Sequence, residues 1–254
     1  MPGTLPLRQY DLVLCDIDGC LVSEGQRAFD IANLSKVAEH NRLAVDLGDR
    51  PMVTLCSGRP QPFAEAMCRL IGNMLVPCVC EMGAWVYYPS NNVYVLDPRI
   101  TEAHLTAVRE VSEWCRAMFG PKGVTQQPGK NASVTLFHPD TAYLRTLEPL
   151  LKEEFAKRGW PLRVSMTWLY INCDLEHVSK GTGLDRMLAE MKIDRARLAG
   201  IGDTWGDKCI ADRVGFFACP SNAAAEIKEH AHYIASRAEA EGVVEILGKL
   251  VSAR

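Results

Sequence analysis

The sequence predicts an α/β protein whose parallel-sheet core is interrupted by a small α+β insert. Three observations carry this reading. Strand, helix and strand patterns alternate up to Cys80, short hairpin-like strands take over from Ala84, and helix–strand alternation returns after Asp174. Such alternation implies parallel pairing, because a strand returned by a helix re-enters the sheet in the same direction. The core is therefore expected at 1–83 and 175–254, and the insert at 84–174.

Leu12-Val13-Leu14-Cys15 is a wholly apolar run, as a strand buried on both faces requires. A helical pattern at 27–42 leads to a second strand at 51–56. Pro60 and Pro62 suit the first turn of a helix reaching Ile71, and 76–80 makes a third apolar strand. Strands at 84–88 and 93–96 flank the turn cluster Pro89-Ser90-Asn91-Asn92 and open the insert. Helices at 102–118 and 141–158 and strands at 132–137, 162–166 and 169–173 complete it, with 120–130 read as a mobile connection. The core resumes with a helix at 180–191, a strand at 198–201, a helix after Asp207 and a strand at 215–219.

With 254 residues, 48% hydrophobic and 23% charged, the chain can bury a full core and is not disordered. A net charge of -3 gives no electrostatic basis for binding nucleic acid or an anionic membrane, which leaves a small molecule as the expected partner. The ten cysteines fall mostly in apolar runs without a Cys-x-x-Cys pair, and read as buried, reduced thiols. The first residues lack a basic start followed by an apolar stretch, and no run reaches the ~18 apolar residues of a membrane span. A cytoplasmic address is expected.

Chemistry concentrates at strand ends. Asp16 and Asp18 bracket one residue after the first strand, where open α/β sheets bind ligands, and Gly19 lets the next backbone approach closely. The pair suits a nucleophile and a proton carrier. A surface turn also fits Asp16-Ile17-Asp18-Gly19, whereas a calcium loop would need oxygen ligands where Cys20 and Arg27 stand. Ser57-Gly58 ends the second strand before a helix start, a place that attracts phosphate but that a simple helix cap also explains. Lys180 stands at a helix start, against the dipole, so it is either solvated or compensated by an anion. Asp203 and Asp207 follow the strand at 198–201, and two carboxylates there call for a cation, with Mg²⁺ the natural choice.

Taken in order, Asp-x-Asp-Gly, Ser-Gly-Arg, Lys-Gly and Gly-Asp-x-x-x-Asp resemble the motifs of the haloacid dehalogenase (HAD) superfamily. The resemblance extends to Glu81-Met82-Gly83-Ala84, to Pro220-Ser221-Asn222-Ala223 and to Glu241-Gly242-Val243, which are similar to segments of the subfamily IIB, Cof-like and sucrose-phosphatase-like branches. It implies a Rossmann-like core and a type IIB cap, and a Mg²⁺-dependent phosphomonoester hydrolase. By matching position, Asp16 would be the nucleophile and Asp18 the acid and base. Gly19, Ser57, Gly58 and Lys180 would hold the phosphoryl group, and Asp16, Asp18 (through its carbonyl), Asp203 and Asp207 the metal. Cys20, Met82 and Gly206 depart from the family's usual Thr, Asn and Asn, which bears on hydrogen bonding around the metal.

Two alternatives share this resemblance: a phosphomutase of the phosphomannomutase type, and a non-catalytic phosphosugar-binding protein, whose expected loss of Asp16 or Asp18 is not seen. Cysteine-phosphatase, nucleotide-loop and Gly-x-Ser-x-Gly signatures are missing, and His230-x-His232 reads as a solvated helix end. The implied substrate is a small phosphorylated metabolite, a sugar phosphate or small organic acid. Lys130, Asn131, Trp168, Asn172 and His177 on the insert, with Arg59 and Asn222 on the core, are the candidate leaving-group contacts.

Overall fold

β1 (Leu12–Cys15) is buried along its whole length and leads through α1 (Ile31–Leu47) to β2 (Met52–Leu55). The structure, a computed structural model, describes residues 8–25 and 27–251. After α2 (Gln61–Leu70) come β3 (Cys78–Cys80), β4 (Trp85–Tyr88) and β5 (Val93–Leu96). The insert adds α3 (Glu102–Phe119), β6 (Thr125–Gln126), β7 (Ser133–Phe137), α4 (Thr141–Arg158), β8 (Leu162–Met166) and β9 (Tyr170–Leu175). The chain returns through α5 (Lys180–Met191), β10 (Leu198–Ile201), α6 (Lys208–Ala211), β11 (Phe216–Cys219), α7 (Ala225–Lys228), β12 (Tyr233–Ile234) and α8 (Glu239–Lys249).

The central sheet is parallel, in the order β12-β11-β10-β1-β2. β1 lies between β10 and β2, with Leu12 opposite both Leu198 and Met52. The apolar runs of β1, β2 and β10 are buried throughout, as strands covered on both faces must be. The segments leaving Cys15, Leu55 and Ile201 therefore emerge side by side at the carboxyl edge of the sheet.

Two expected elements are placed differently. The first helix begins at Ile31 rather than at residue 27, because Asp30 caps it by accepting from the Asn33 amide at 3.1 Å. The third strand joins the parallel sheet over a short stretch only. β3 meets the end of β2 through a parallel bridge, Cys56 with Val79, where the Ser57 amide donates to the Val79 carbonyl at 2.9 Å, and it otherwise forms a three-stranded antiparallel sheet with β4 and β5. The cause is a run of three left-handed residues, Glu81, Met82 and Gly83 (φ 47°, 54° and 93°), which turns the chain back on itself. The hairpin expected to open the insert therefore pairs with β3, and Val86 and Tyr87 pack among core residues.

The insert's four-stranded antiparallel sheet runs β6-β7-β9-β8. Val134 and Leu136 of β7 and Ile171 and Cys173 of β9 pack with α3 and α4 in one apolar cluster. Alternation then turns Thr135 and Asn172 to the opposite face, toward the core. The segment read as a mobile connection carries a single helical turn at Gly120–Lys122 and the strand β6, which pairs with β7.

Candidate active site

Asp16 follows β1 directly, and its amide donates to the Ile201 carbonyl at 3.0 Å, which ties the two strand ends together. Asp203 and Asp207 follow β10. Lys180 opens α5 behind the cap residue Ser179, whose hydroxyl accepts from the Thr182 amide at 3.2 Å. Its ammonium lies 2.9 Å from Asp16 Oδ2 and 2.7 Å from Asp207 Oδ1. The cation that sits against its helix dipole is compensated by two carboxylates, not by solvent.

Asp16, Asp203 and Asp207 each bring one oxygen within 4.8 Å of the others, and all three residues are buried. Burial, and then the charge of Asp207, push the Asp16 carboxyl up to about 7. Burial, and then the charges of Asp16 and Asp207, push Asp203 up to about 9. Burial opposes the charge on Lys180, yet Asp16 and Asp207 outweigh it and hold the ammonium well above the ordinary lysine value. Carboxyls crowded and buried in this way hold their protons until a cation offsets their charge, and an all-oxygen donor set of this kind suits a hard divalent cation such as Mg²⁺. Asp207 Oδ2 also accepts from the amides of Asp203 and Thr204, both at 3.1 Å, which fixes the cluster's geometry. The Cys20 thiol approaches Asp203 Oδ1 at 3.9 Å where the resemblance would place a hydroxyl.

Asp18 stands apart from this cluster. Its carboxylate is gripped by Arg59, with Nε 2.8 Å from Oδ2, and it lines the same cavity as Asp16. Ser57 is buried, and its hydroxyl accepts from the Arg59 amide at 3.2 Å. Gly58 packs so close to Met82 that a Cβ would lie 3.0 Å from its sulfur.

Asp16, Asp18, Ser57, Gly58, Lys180 and Asp203 line one cavity of about 590 Å³, roofed by the insert's Lys130, Thr135, Trp168 and Asn172. Asp207, buried in the acid cluster, is not part of that lining, and four further candidates fall elsewhere. The Gly19 amide is committed to the Val22 carbonyl at 2.7 Å, so Gly19 serves the site by shape: at φ +75°, its missing Cβ would lie 1.9 Å from Asp203 Oδ2. Asn222 donates to the Gly19 carbonyl at 2.8 Å and accepts from the Glu239 amide, bracing that turn from outside the cavity. His177 packs on His104, with ring centroids 4.5 Å apart, away from the cavity lining. Asn131 donates its amide to Glu81 Oε1 at 2.7 Å and likewise lies outside that lining.

Other lining residues escaped the sequence reading: Glu24, Gln127, Arg145, Tyr170 and Trp205. Trp205 lies inside the Asp203–Asp207 motif and is 56% exposed, an unusual place for an indole that its neighbours could have flagged. Arg145 has no comparable mark, since a cation on a helix flank is ordinary.

Comparison with known proteins agrees with this architecture. The chain belongs to the haloacid dehalogenase-like hydrolases: residues 88–247 match the family model, a span that holds Lys180, Asp203 and Asp207. A phosphoglycolate phosphatase of Methanoculleus marisnigri is 24% identical over 93% of this chain and 95% of that protein. A second, from Methanothrix thermoacetophila, is 34% identical over 37% of this chain and 42% of that protein. The sucrose-phosphatase of Synechocystis sp. PCC6803, solved with sucrose and phosphate, shares the fold with a TM-score of 0.64 at 18% identity, over 96% of this chain and 98% of that one. The core and insert are thus the HAD core and its type IIB cap.

Proposed function

We propose that this phosphatase hydrolyses a small phosphate monoester with Mg²⁺ through an aspartyl-phosphate on Asp16. The observation that carries the reading is the buried Lys180 ammonium between Asp16 and Asp207 at two adjacent parallel strand ends, inside a capped cavity. The names of the relatives make phosphoglycolate the first substrate to test, with sucrose phosphate as the sugar counterpart.

An oxygen of Asp16 attacks phosphorus and the bond to the leaving oxygen breaks, while Asp18, paired as a carboxylate with Arg59 before substrate arrives, passes to that oxygen a proton brought in by the substrate's phosphate monoanion. Asp18 then takes a proton from water, whose oxygen attacks phosphorus, releasing inorganic phosphate and restoring Asp16. Lys180 and Ser57 hold the phosphoryl oxygens. Phosphoryl transfer depends chiefly on positioning and on neutralising spread negative charge, and a buried ammonium is suited to both. Asp16, Asp203, Asp207 and the Asp18 carbonyl would hold Mg²⁺, which supplies further positive charge to the phosphoryl group when bound. Arg59 keeps the Asp18 carboxylate oriented before substrate arrives.

Phosphate release from phosphoglycolate, sucrose phosphate and hexose phosphates, with and without Mg²⁺, tests this against Asp16→Asn as the blank. Mg²⁺-dependent release that Asp16→Asn abolishes is expected. Release that survives in Asp16→Asn overturns the assignment, and transfer to a sugar with a bisphosphate activator, in place of release, would identify a mutase.

A further inference from the structure

Lys130 stands out on the cap wall of the cavity. Its ammonium has three N–H groups and donates one to Thr135 Oγ1 at 2.5 Å, whose hydroxyl donates onward to Asn172 Oδ1 at 2.8 Å. All three side chains line the cavity that Asp16 and Lys180 close at the other end. Arg59, the cation on the core side, is already committed to Asp18.

The charges behind Lys130 are Asp174 and Glu81, at the two places where the chain crosses between core and cap. Glu81 Oε1 accepts from the amides of Asn131 and Ala132 at 2.7 and 2.6 Å and so pins the segment that bears Lys130. Glu81 Oε2 and both Asp174 oxygens are buried without a hydrogen-bond partner, and Asp174 Oδ2 has a longer ion pair with Arg163 at 3.7 Å. Burial pushes the lysine's pKa down, and Asp174 and Glu81 push it back only in part. A cation held this way is supported from behind and open toward the cavity, where an anion would be bound strongly because water is excluded.

We propose that Lys130 is the specificity-determining contact for substrates whose leaving group carries a carboxylate. The inference rests on the phosphatase reading above. The phosphoryl group occupies the Lys180 end, and the leaving group reaches across so that its carboxylate meets the Lys130 ammonium. Thr135 holds the ammonium in place, and Asn172 holds Thr135. A lysine serving only as counter-ion for Glu81 and Asp174 would treat all phosphate monoesters alike.

The test compares 2-phosphoglycolate with its neutral amide, 2-phosphoglycolamide, at saturating Mg²⁺ on the full chain. The wild type is expected to prefer the acid by roughly 30-fold in kcat/KM, the worth of one charged hydrogen bond. Lys130→Met brings the ratio close to one. Lys130→Arg, which keeps the charge, retains the preference, and Lys130→Gln, which keeps a polar side chain, loses it, so the comparison stands even where the Met variant does not fold. A ratio that survives in Lys130→Gln overturns the proposal. A wild type that hydrolyses acid and amide equally overturns it too but leaves the phosphatase reading intact, whereas hydrolysis of no phosphate monoester overturns both.

Discussion

Arg59 and Asp18 meet in a two-pronged ion pair at the cavity floor, with Nε 3.0 Å from Oδ1 and 2.8 Å from Oδ2 and a third contact from Nη2. The guanidinium lies 4.8 Å from the centre of the Phe63 ring and 5.9 Å from that of Tyr170, so α2 and the cap strand β9 both steady the fork. Arg59→Lys keeps the charge and loses the planar fork. We expect kcat and kcat/KM to fall together by about tenfold or more, as misplacement of a catalytic group predicts. A rise in KM with kcat unchanged would instead assign Arg59 to substrate binding.

Replacing Lys180 by Met leaves Asp16 and Asp207 buried without their ammonium. Breaking a buried ion pair from one side costs about 3–5 kcal/mol. Urea unfolding in a chelator should show that loss, and kcat should fall by roughly 100-fold or more, as removal of one charge-stabilising donor does. A variant as stable as wild type in the chelator would contradict the burial argument.

Two glycines shape the site without touching substrate. A Cβ on Gly19 would lie 1.9 Å from Asp203 Oδ2, and one on Gly83 would lie 1.9 Å from the Ser179 carbonyl, just ahead of Lys180. Gly19→Ala and Gly83→Ala should each lose about 1–3 kcal/mol, the usual cost of a strained left-handed residue, and lower kcat by displacing Asp203 or Lys180. Gly48→Ala is the control, because its φ is also positive, at +66°, but nothing lies within 4 Å. It should lower the melting temperature and leave kcat unchanged.

His40 makes the core acid-sensitive. The ring is buried, its Nε2 donates to the Pro51 carbonyl at 2.8 Å, and burial lowers its pKa to about 4. Between the ordinary value of about 6.5 and that lowered one, the unfolded chain takes up a proton that the folded chain refuses, so stability falls as pH falls. The loss should reach about 2 kcal/mol by pH 5. Urea unfolding at pH 7 and pH 5 checks it: the wild type should lose that much more than His40→Gln, and equal losses would rule out this histidine as the cause.

The sequence made Asp16, Asp203 and Lys180 legible for a simple reason. Each acid follows a short apolar run, the signature of a buried strand ending at an open edge, and the lysine stands where helix capping would not choose it. The meeting of Lys180 with Asp16 at 2.9 Å, and with Asp207 of the same motif as Asp203 at 2.7 Å, could be inferred because motif order and strand order together define the edge. The grip of Arg59 on Asp18 was not legible, since it depends on where α2 starts relative to β1. Nor was the turn at Glu81 and Met82, because neither side chain advertises a left-handed backbone. His177 misled the reading: a histidine beside the cap-to-core crossing looks available for substrate, but His104, far away in sequence, covers it.

β1 sits between β2 and β10, and this has a consequence for how the chain is made. On the ribosome, β2 reaches β1 early, while β10 arrives only after the whole cap has emerged. The cap has its own apolar cluster, so it can be packed while β1 still has one open edge of unpaired N–H and C=O groups. The acid cluster needs both strand ends, so a nascent chain carries a formed lid over a sheet that has no chemistry yet. Late closure of that long loop is the slow step expected of such a topology, and the interval before it is when the chain is most exposed to aggregation.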